Sequence, residues 1–293
     1  ARAGHVAVGE AVPYRGEGGL AREPKRGGLA GAVGGGALAI LALLMLAGCT
    51  QHPASASFAW EGTPGDAWVR IRNLNGGVEV RRSPDERVIV AATVRTGGRP
   101  VTWVRDSSDE AITLCVAFAD TRSRDCDRLR SDRRGGFLPW VQRLLTGAGK
   151  QGASVEYVLY VPPTARLDVR TVNGGIDVQS VARELRVRTV NGKVSAVAVA
   201  SGVDVETVNG SIDARLALDG DGDVRLATVN GSVTAELPAS VDGDVQLSTV
   251  NGSASSDFAL EGGRKSRRGQ LGAGGRDIQL QAVNGSVRLR RRG

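Results

Sequence analysis

Residues 167–174 read Leu167-Asp168-Val169-Arg170-Thr171-Val172-Asn173-Gly174, and their last four return down the chain. The copies are Thr189-Val190-Asn191-Gly192, Thr207-Val208-Asn209-Gly210, Thr228-Val229-Asn230-Gly231, Thr249-Val250-Asn251-Gly252 and Ala282-Val283-Asn284-Gly285. From Asn to Asn the spacings are 18, 18, 21, 21 and 33 residues. An early relative, Asn73-Leu74-Asn75-Gly76, stands apart from the series. Self-similarity at such a period marks a repeat architecture.

Between the motifs the apolar residues alternate with period two: Leu167/Val169, Leu185/Val187, Val203/Val205, Val224/Leu226, Val245/Leu247 and Ile278/Leu280. Continuing that parity puts Thr and Asn on the apolar face. After Gly the phase slips by one, and Val194/Ala196, Ile212/Ala214 and Val233/Ala235 resume it. Each repeat is therefore two short strands bent at Asn-Gly, where glycine tolerates positive φ. Asn-Gly also signals a hairpin and an antiparallel meander. A meander has no reason to repeat the same four residues at every second turn, whereas stacked rungs line equivalent Asn residues into a ladder. The expected fold is all-β: a β-solenoid, like a single-stranded β-helix, of 18–21-residue rungs. Its ladder is Asn173, Asn191, Asn209, Asn230, Asn251 and Asn284, facing inward, with the motif valines outward as corner packing or a partner ridge. Six rungs would stack to about 25–30 Å.

Working outward, the runs Val88–Arg95, Val101–Arg105, Ala111–Phe118 and Val155–Val161 read as hairpins or irregular rungs capping the N-terminal end. Ahead of them, Leu29–Ala47 is an apolar run preceded by Arg22, Lys25 and Arg26, the layout of a secretory signal. Leu46-Ala47-Gly48-Cys49 resembles the lipobox of bacterial lipoproteins, in which cleavage before the Cys precedes acylation. That resemblance implies lipidation at Cys49 (palmitate among the acyl chains), an extracytoplasmic address and, from Thr50 after the Cys, the outer membrane of a Gram-negative cell. An uncleaved membrane anchor is the competing reading, since nineteen apolar residues just span a bilayer. The expected organisation is a leader at 1–48, a tether at 49–57, a first rung with capping strands at 58–162 and the repeats at 163–293.

Ala67-Trp68-Val69-Arg70-Ile71, Asn75-Gly76-Gly77-Val78-Glu79-Val80 and Val155-Glu156-Tyr157-Val158-Leu159-Tyr160-Val161-Pro162, followed by the Thr-Val-Asn-Gly rungs, together resemble the bacterial DUF4097 family. The resemblance covers about residues 58–290 and implies a β-solenoid with an adhesin-type role and no catalytic residues. Residues 117–153 and 262–276 are longer than that family's loops.

Among 293 residues aromatics make up 4% and histidines number two, which leaves little for His-based chemistry. After the leader only His52 remains, in the tether beside Cys49, which argues against a Ser-His-Asp triad. The outward pairs Asp168/Arg170, Arg186/Arg188, Asp204/Glu206 and Arg225/Ala227 show no recurring carboxylate pair, and the chain reads as a non-enzyme. Cys115 and Cys126 form one even pair around a short polar loop and are expected to be disulfide-bonded in an oxidising compartment. Asp219-Gly220-Asp221-Gly222-Asp223 imitates a calcium loop but has Asn230 where an EF-hand needs Glu. No metal or cofactor is expected.

Cations suggest the partner chemistry. Arg128, Arg130, Arg133 and Arg134 lie in the 117–153 insertion, Arg264, Lys265, Arg267 and Arg268 in the 262–276 segment, and Arg288, Arg290, Arg291 and Arg292 at the tail. The two insertion groups are candidate contacts for an anionic ligand; solvated charge is the plainer reading. Basic residues without interleaved aromatics, on an exported chain, argue against nucleic acid. The expected function is a lipid-anchored envelope module, adhesin-like or scaffolding, contacting glycan, lipid or another envelope protein. A structural or signalling accessory without a ligand is the alternative, and a glycan-active β-helix enzyme a distant one.

Overall fold

The computed structural model describes residues 7–8, 57–96, 101–108, 110–118, 154–181 and 183–293. The leader run, Cys49, Cys126 and Arg128–Arg134 lie outside the described residues. Among the described residues no helix is long and apolar enough to cross a membrane.

Among the described residues the elements are all strands. The N-terminal set is β1 (Ala7–Val8), β2 (Ser57–Gly62), β3 (Trp68–Arg72), β4 (Val78–Arg82), β5 (Val88–Thr96), β6 (Val101–Ser107), β7 (Ala111–Phe118) and β8 (Ser154–Val161). The repeats follow as β9 (Arg166–Asn173), β10 (Ile176–Val181), β11 (Glu184–Asn191), β12 (Val194–Ala200), β13 (Gly202–Asn209), β14 (Ile212–Leu218), β15 (Val224–Asn230) and β16 (Val233–Pro238). The C-terminal set is β17 (Gly243–Asn251), β18 (Ala254–Ser256), β19 (Glu261–Gly262), β20 (Ser266–Leu271), β21 (Asp277–Asn284) and β22 (Val287–Arg292).

These form two open, mixed sheets of twelve and ten strands. From β9 to β16 successive strands alternate between the sheets, and each pairs in parallel with its equivalent one repeat away. Leu185 lies beside Leu167 and Val203, and Val187 beside Val169 and Val205. On the second sheet Val194 and Ala196 pair with Ile212 and Ala214. The apolar residues read from the alternation are those packed between the sheets, at 0–3% exposure from Leu167 to Leu280. One β-strand from each sheet, joined through the Asn-Gly corner, makes a rung.

Rung order departs from chain order at both ends. At the start, β3/β4 lies second in the stack. The chain leaves it through β5 and β6, returns as β7/β8 in the first place, and resumes with β9 beside β3. β5 and β6 pair antiparallel with β8 and β7 at that end. At the other end, β21/β22 sits between β15/β16 and β17/β18. The 33-residue interval is therefore an excursion. After β17/β18 the chain runs back as β20 antiparallel to β17, then inserts its last two strands. Strand length explains the choice: β22 pairs with β16 over six residues, whereas β18 offers only three. Inserting β22 satisfies the whole of β16 and leaves the shorter of the two strands at the exposed edge, where unpaired backbone invites association.

Candidate functional site

The corner is built by three stacked rows. The Thr hydroxyls point inward and donate to the Gly carbonyl of the neighbouring rung: Thr189 to Gly174 at 3.1 Å, Thr207 to Gly192 at 3.2 Å, Thr228 to Gly210 at 2.8 Å and Thr249 to Gly285 at 2.7 Å. Ala282 leaves that bond out. Asn73 takes the Thr position in the β3/β4 rung, where its buried Nδ2 donates to Gly76 O and Val155 O at 3.0 and 2.9 Å.

The Asn row forms the expected amide ladder, but not on the expected face. Asn191, Asn209 and Asn230 donate Nδ2 to the Oδ1 of the previous Asn at 2.7–2.8 Å, and Asn284 and Asn251 continue the row at 2.8 and 2.9 Å. Asn75, which the spacing set apart, accepts from Asn173 at 2.7 Å and belongs to the ladder. All six repeat asparagines are exposed, correcting the inward placement. The chain turns at Asn, so strict alternation ends two residues earlier, at the buried Thr.

Corner glycines Gly76, Gly231 and Gly285 adopt the expected positive φ, but two others have a different cause. A Cβ on Gly192 or Gly210 would lie 1.9–2.0 Å from the carbonyl oxygen of the rung before it. Close approach between rungs, rather than φ, excludes a side chain at both positions.

On the outer face of the first sheet one register position alternates in sign from rung to rung, through Arg70, Asp168, Arg186, Asp204 and Arg225, while the next outward position carries Arg72, Arg170 and Arg188 before Glu206. Asp168 is buried against Arg72 Nη2 at 2.5 Å and Arg170 Nε at 3.1 Å, with Arg70 at 4.0 Å. Burial alone would raise its pKa, but the charges of Arg72 and Arg170 and their hydrogen bonds hold the carboxyl at about 2. Arg188 bridges Asp204 and Glu206, both at 3.0 Å, and Arg225 approaches Glu206 at 3.5 Å. Arg166 and Arg186 stack on Trp68, 4.7 and 4.1 Å from its ring centre. The second sheet adds Lys193–Asp213 at 2.6 Å and Arg215–Glu236 at 3.4 Å.

Opposite the Asn corner, the turns form an open cleft of about 500 Å³ lined by Asp66, Glu86, Pro163, Arg183 and Asp219 among others. Its charges are answered locally: Arg183 pairs with Asp66 at 2.8 Å, and Thr164 donates to Glu86 at 2.7 Å. The calcium-like segment Asp219–Asp223 gathers no cage; among the described residues no cluster of three or more His, Cys, Asp or Glu could hold a metal ion. Cys115 is disulfide-bonded.

The C-terminal end differs. Residues 49–253 carry 24 basic and 25 acidic side chains, whereas residues 254–293 carry nine basic and three acidic. The pairing places this excess in the last two rungs and the β20 cap. Arg264, Lys265, Arg268, Arg288, Arg290 and Arg291 are exposed, and none forms an ion pair among the described residues. Arg267 is the exception within its group. It faces inward from β20, half-buried, and donates Nε to Ala254 O at 3.0 Å, lying across the open end of the core. Three of the four 264–268 cations are thus free to meet an anion, and the tail joins them.

No family model matches the sequence, and neither does any curated protein. Solved structures similar to this chain include the following three. A "putative cell adhesion protein" from Clostridium sporogenes is 11% identical, with 81% of this chain and 100% of that one covered and a TM-score of 0.48. A "putative adhesin" from Bacteroides fragilis is 10% identical over 82% and 99%, TM-score 0.30. A "putative adhesin" from Parabacteroides merdae is 12% identical over 81% and 96%, TM-score 0.31. All three bear adhesin names, and likeness this distant specifies neither partner nor activity.

Proposed function

We propose that the chain is a two-sheeted β-solenoid serving as an adhesin-like, non-catalytic binding module of a bacterial envelope, lipid-anchored through Cys49, whose C-terminal end holds a polyanionic partner. The carrying observation is the charge distribution: a body neutralised rung against rung, and a cationic excess left unpaired at one end. Fixed, unpaired cations on a rigid frame attract polyanions and need no reorganisation to do so. The lipobox-like Leu46-Ala47-Gly48-Cys49 supports the anchor, and the DUF4097 resemblance supports the adhesin-type role. A disulfide at Cys115, for which Cys126 is the proposed partner, suits an oxidising compartment.

The test is retention of the full chain on immobilised polyphosphate across a salt series, wild type beside R264Q/K265Q/R268Q. Retention that weakens with salt and drops at least tenfold in the variant is the expected result. No retention, or equal retention by both, favours a structural accessory without an external ligand, a reading supported by the self-paired charges over the rest of the stack. Intact mass and membrane fractionation of wild type and Cys49→Ala test the anchor. Cleavage before Cys49 with added acyl chains, lost in the variant, is expected; an unprocessed wild type would remove it.

A further inference from the structure

Val250 and Val283 occupy one position in neighbouring strands, since Thr249 pairs with Ala282 and Asn251 with Asn284. The same outward row begins buried, with Val172 at 4% and Val190 at 2% exposure, and ends open, with Val283 at 39% and Val250 at 56%. The row is half-buried at Val208 and Val229 and becomes fully exposed in the last two rungs, where the free cations are. Backbone bonds from Thr249 N to Lys265 O and from Ala254 N to Arg264 O carry Arg264 and Lys265 past the Val250 corner. Arg268 is paired beside Gln246 on the same outer face as Val250. Arg288 follows the Asn284-Gly285 corner one step inside the edge.

Apolar side chains ringed by unpaired cations match a bilayer surface bearing anionic headgroups: the cations meet phosphate while the valines enter the acyl boundary. A soluble polyanion would use the cations and have no use for two exposed valines. We infer that the Val250/Val283 corner of the C-terminal end docks on an anionic phospholipid bilayer. This rests on the polyanion-binding reading above and names its partner. The acidic residues nearby do not cancel the patch: Asp257 accepts from the Arg291 backbone N–H at 3.3 Å, and Glu261 sits opposite Arg268 without an ion pair among the described residues. The sheet whose first edge is β2 ends at β18, nine strand spacings or about 43 Å away, so the docking corner is remote from where the chain enters the fold.

The test must report on this corner and ignore the apolar leader. A tryptophan introduced as Val250→Trp in the full chain is mixed with vesicles whose acyl chains carry bromine, either pure phosphatidylcholine or three parts to one of phosphatidylglycerol. The expected result is quenching of at least half the added fluorescence by the anionic vesicles only. It is lost when R264Q/K265Q/R268Q are added. Anionic vesicles that leave the added fluorescence unchanged, while polyphosphate still binds, overturn bilayer docking and leave the polyanion reading standing. Failure of both overturns the two together. Equal quenching by both vesicle types also overturns the proposal, because the contact would then owe nothing to headgroup charge.

Discussion

At the scale of single residues, the corner separates two requirements that look alike in sequence. Gly210 stands where a Cβ would meet the Gly192 carbonyl oxygen at 1.9 Å, so every added atom must move backbone. Gly210→Ala is expected to cost about 2–3 kcal/mol, as overpacking without room to relax does. Asn209 makes two ladder bonds, to Asn191 and from Asn230, but both are exposed and water can replace them. Asn209→Ala should therefore cost only about 1 kcal/mol. Urea melts of the two variants check the ranking, and equal losses would contradict it. Asp168 supplies a pH signature. Its folded pKa of about 2 lies below the ordinary 3.8, so its contribution is complete above about pH 4 and disappears as pH falls towards 2. About 2 kcal/mol should be lost through that window, most of it absent in an Asp168→Asn chain that already starts less stable. Thermal melts of both chains between pH 5 and 2 read this directly.

At the scale of elements, one rung lacks a bond that both its neighbours make. Ala282 lies between Thr228 and Thr249 in register, and both neighbours use their hydroxyls on a Gly carbonyl of the next rung. Ala282→Thr should add the equivalent bond to Gly231 O and gain about 0.5–1 kcal/mol; a destabilised chain would show that this rung is packed differently from the rest. The same elements show how far the sequence could be read. Period two in Leu185/Val187 or Val224/Leu226 fixes which residues enter the core, because one face must be buried and a one-residue slip would expose it. The Asn ladder was legible as a row, since only stacking rewards the same residue at every corner. Its exposure was not, because periodicity says nothing about where a strand stops alternating. Pairing of charges across rungs was hidden too: Arg188 is 18 residues from Glu206 and meets it only once the register is known. Most of the free cations of the candidate site were visible as a run, whereas Val250 could not be told from buried Val172 before its place in the stack was known.

At the scale of the whole molecule, identical motifs cannot encode which neighbour each should take, and the order at the ends was illegible for that reason. β17/β18 carries the full Thr249-Val250-Asn251-Gly252 motif and would fit beside β15/β16 in plain chain order. It is held one place further out by β21/β22, which buries Ile278, Leu280, Val287 and Leu289 at 0% exposure. The stability of such a stack is close to a sum over rungs and nearest-neighbour interfaces, so removing an internal rung breaks two interfaces where removing a terminal one breaks one. A chain ending at Arg276 lacks the internal rung, although the deletion trims only its terminus. Hydrogen exchange should then accelerate in residues 245–251 and along the uncovered edge at 224–238. Residues 167–200, several interfaces away, should keep their protection. Native-like protection of 245–251 in the shortened chain would mean that β17 has moved in beside β15. The inverted order would then be a preference set by β22 covering β16, and not a constraint of the corner itself.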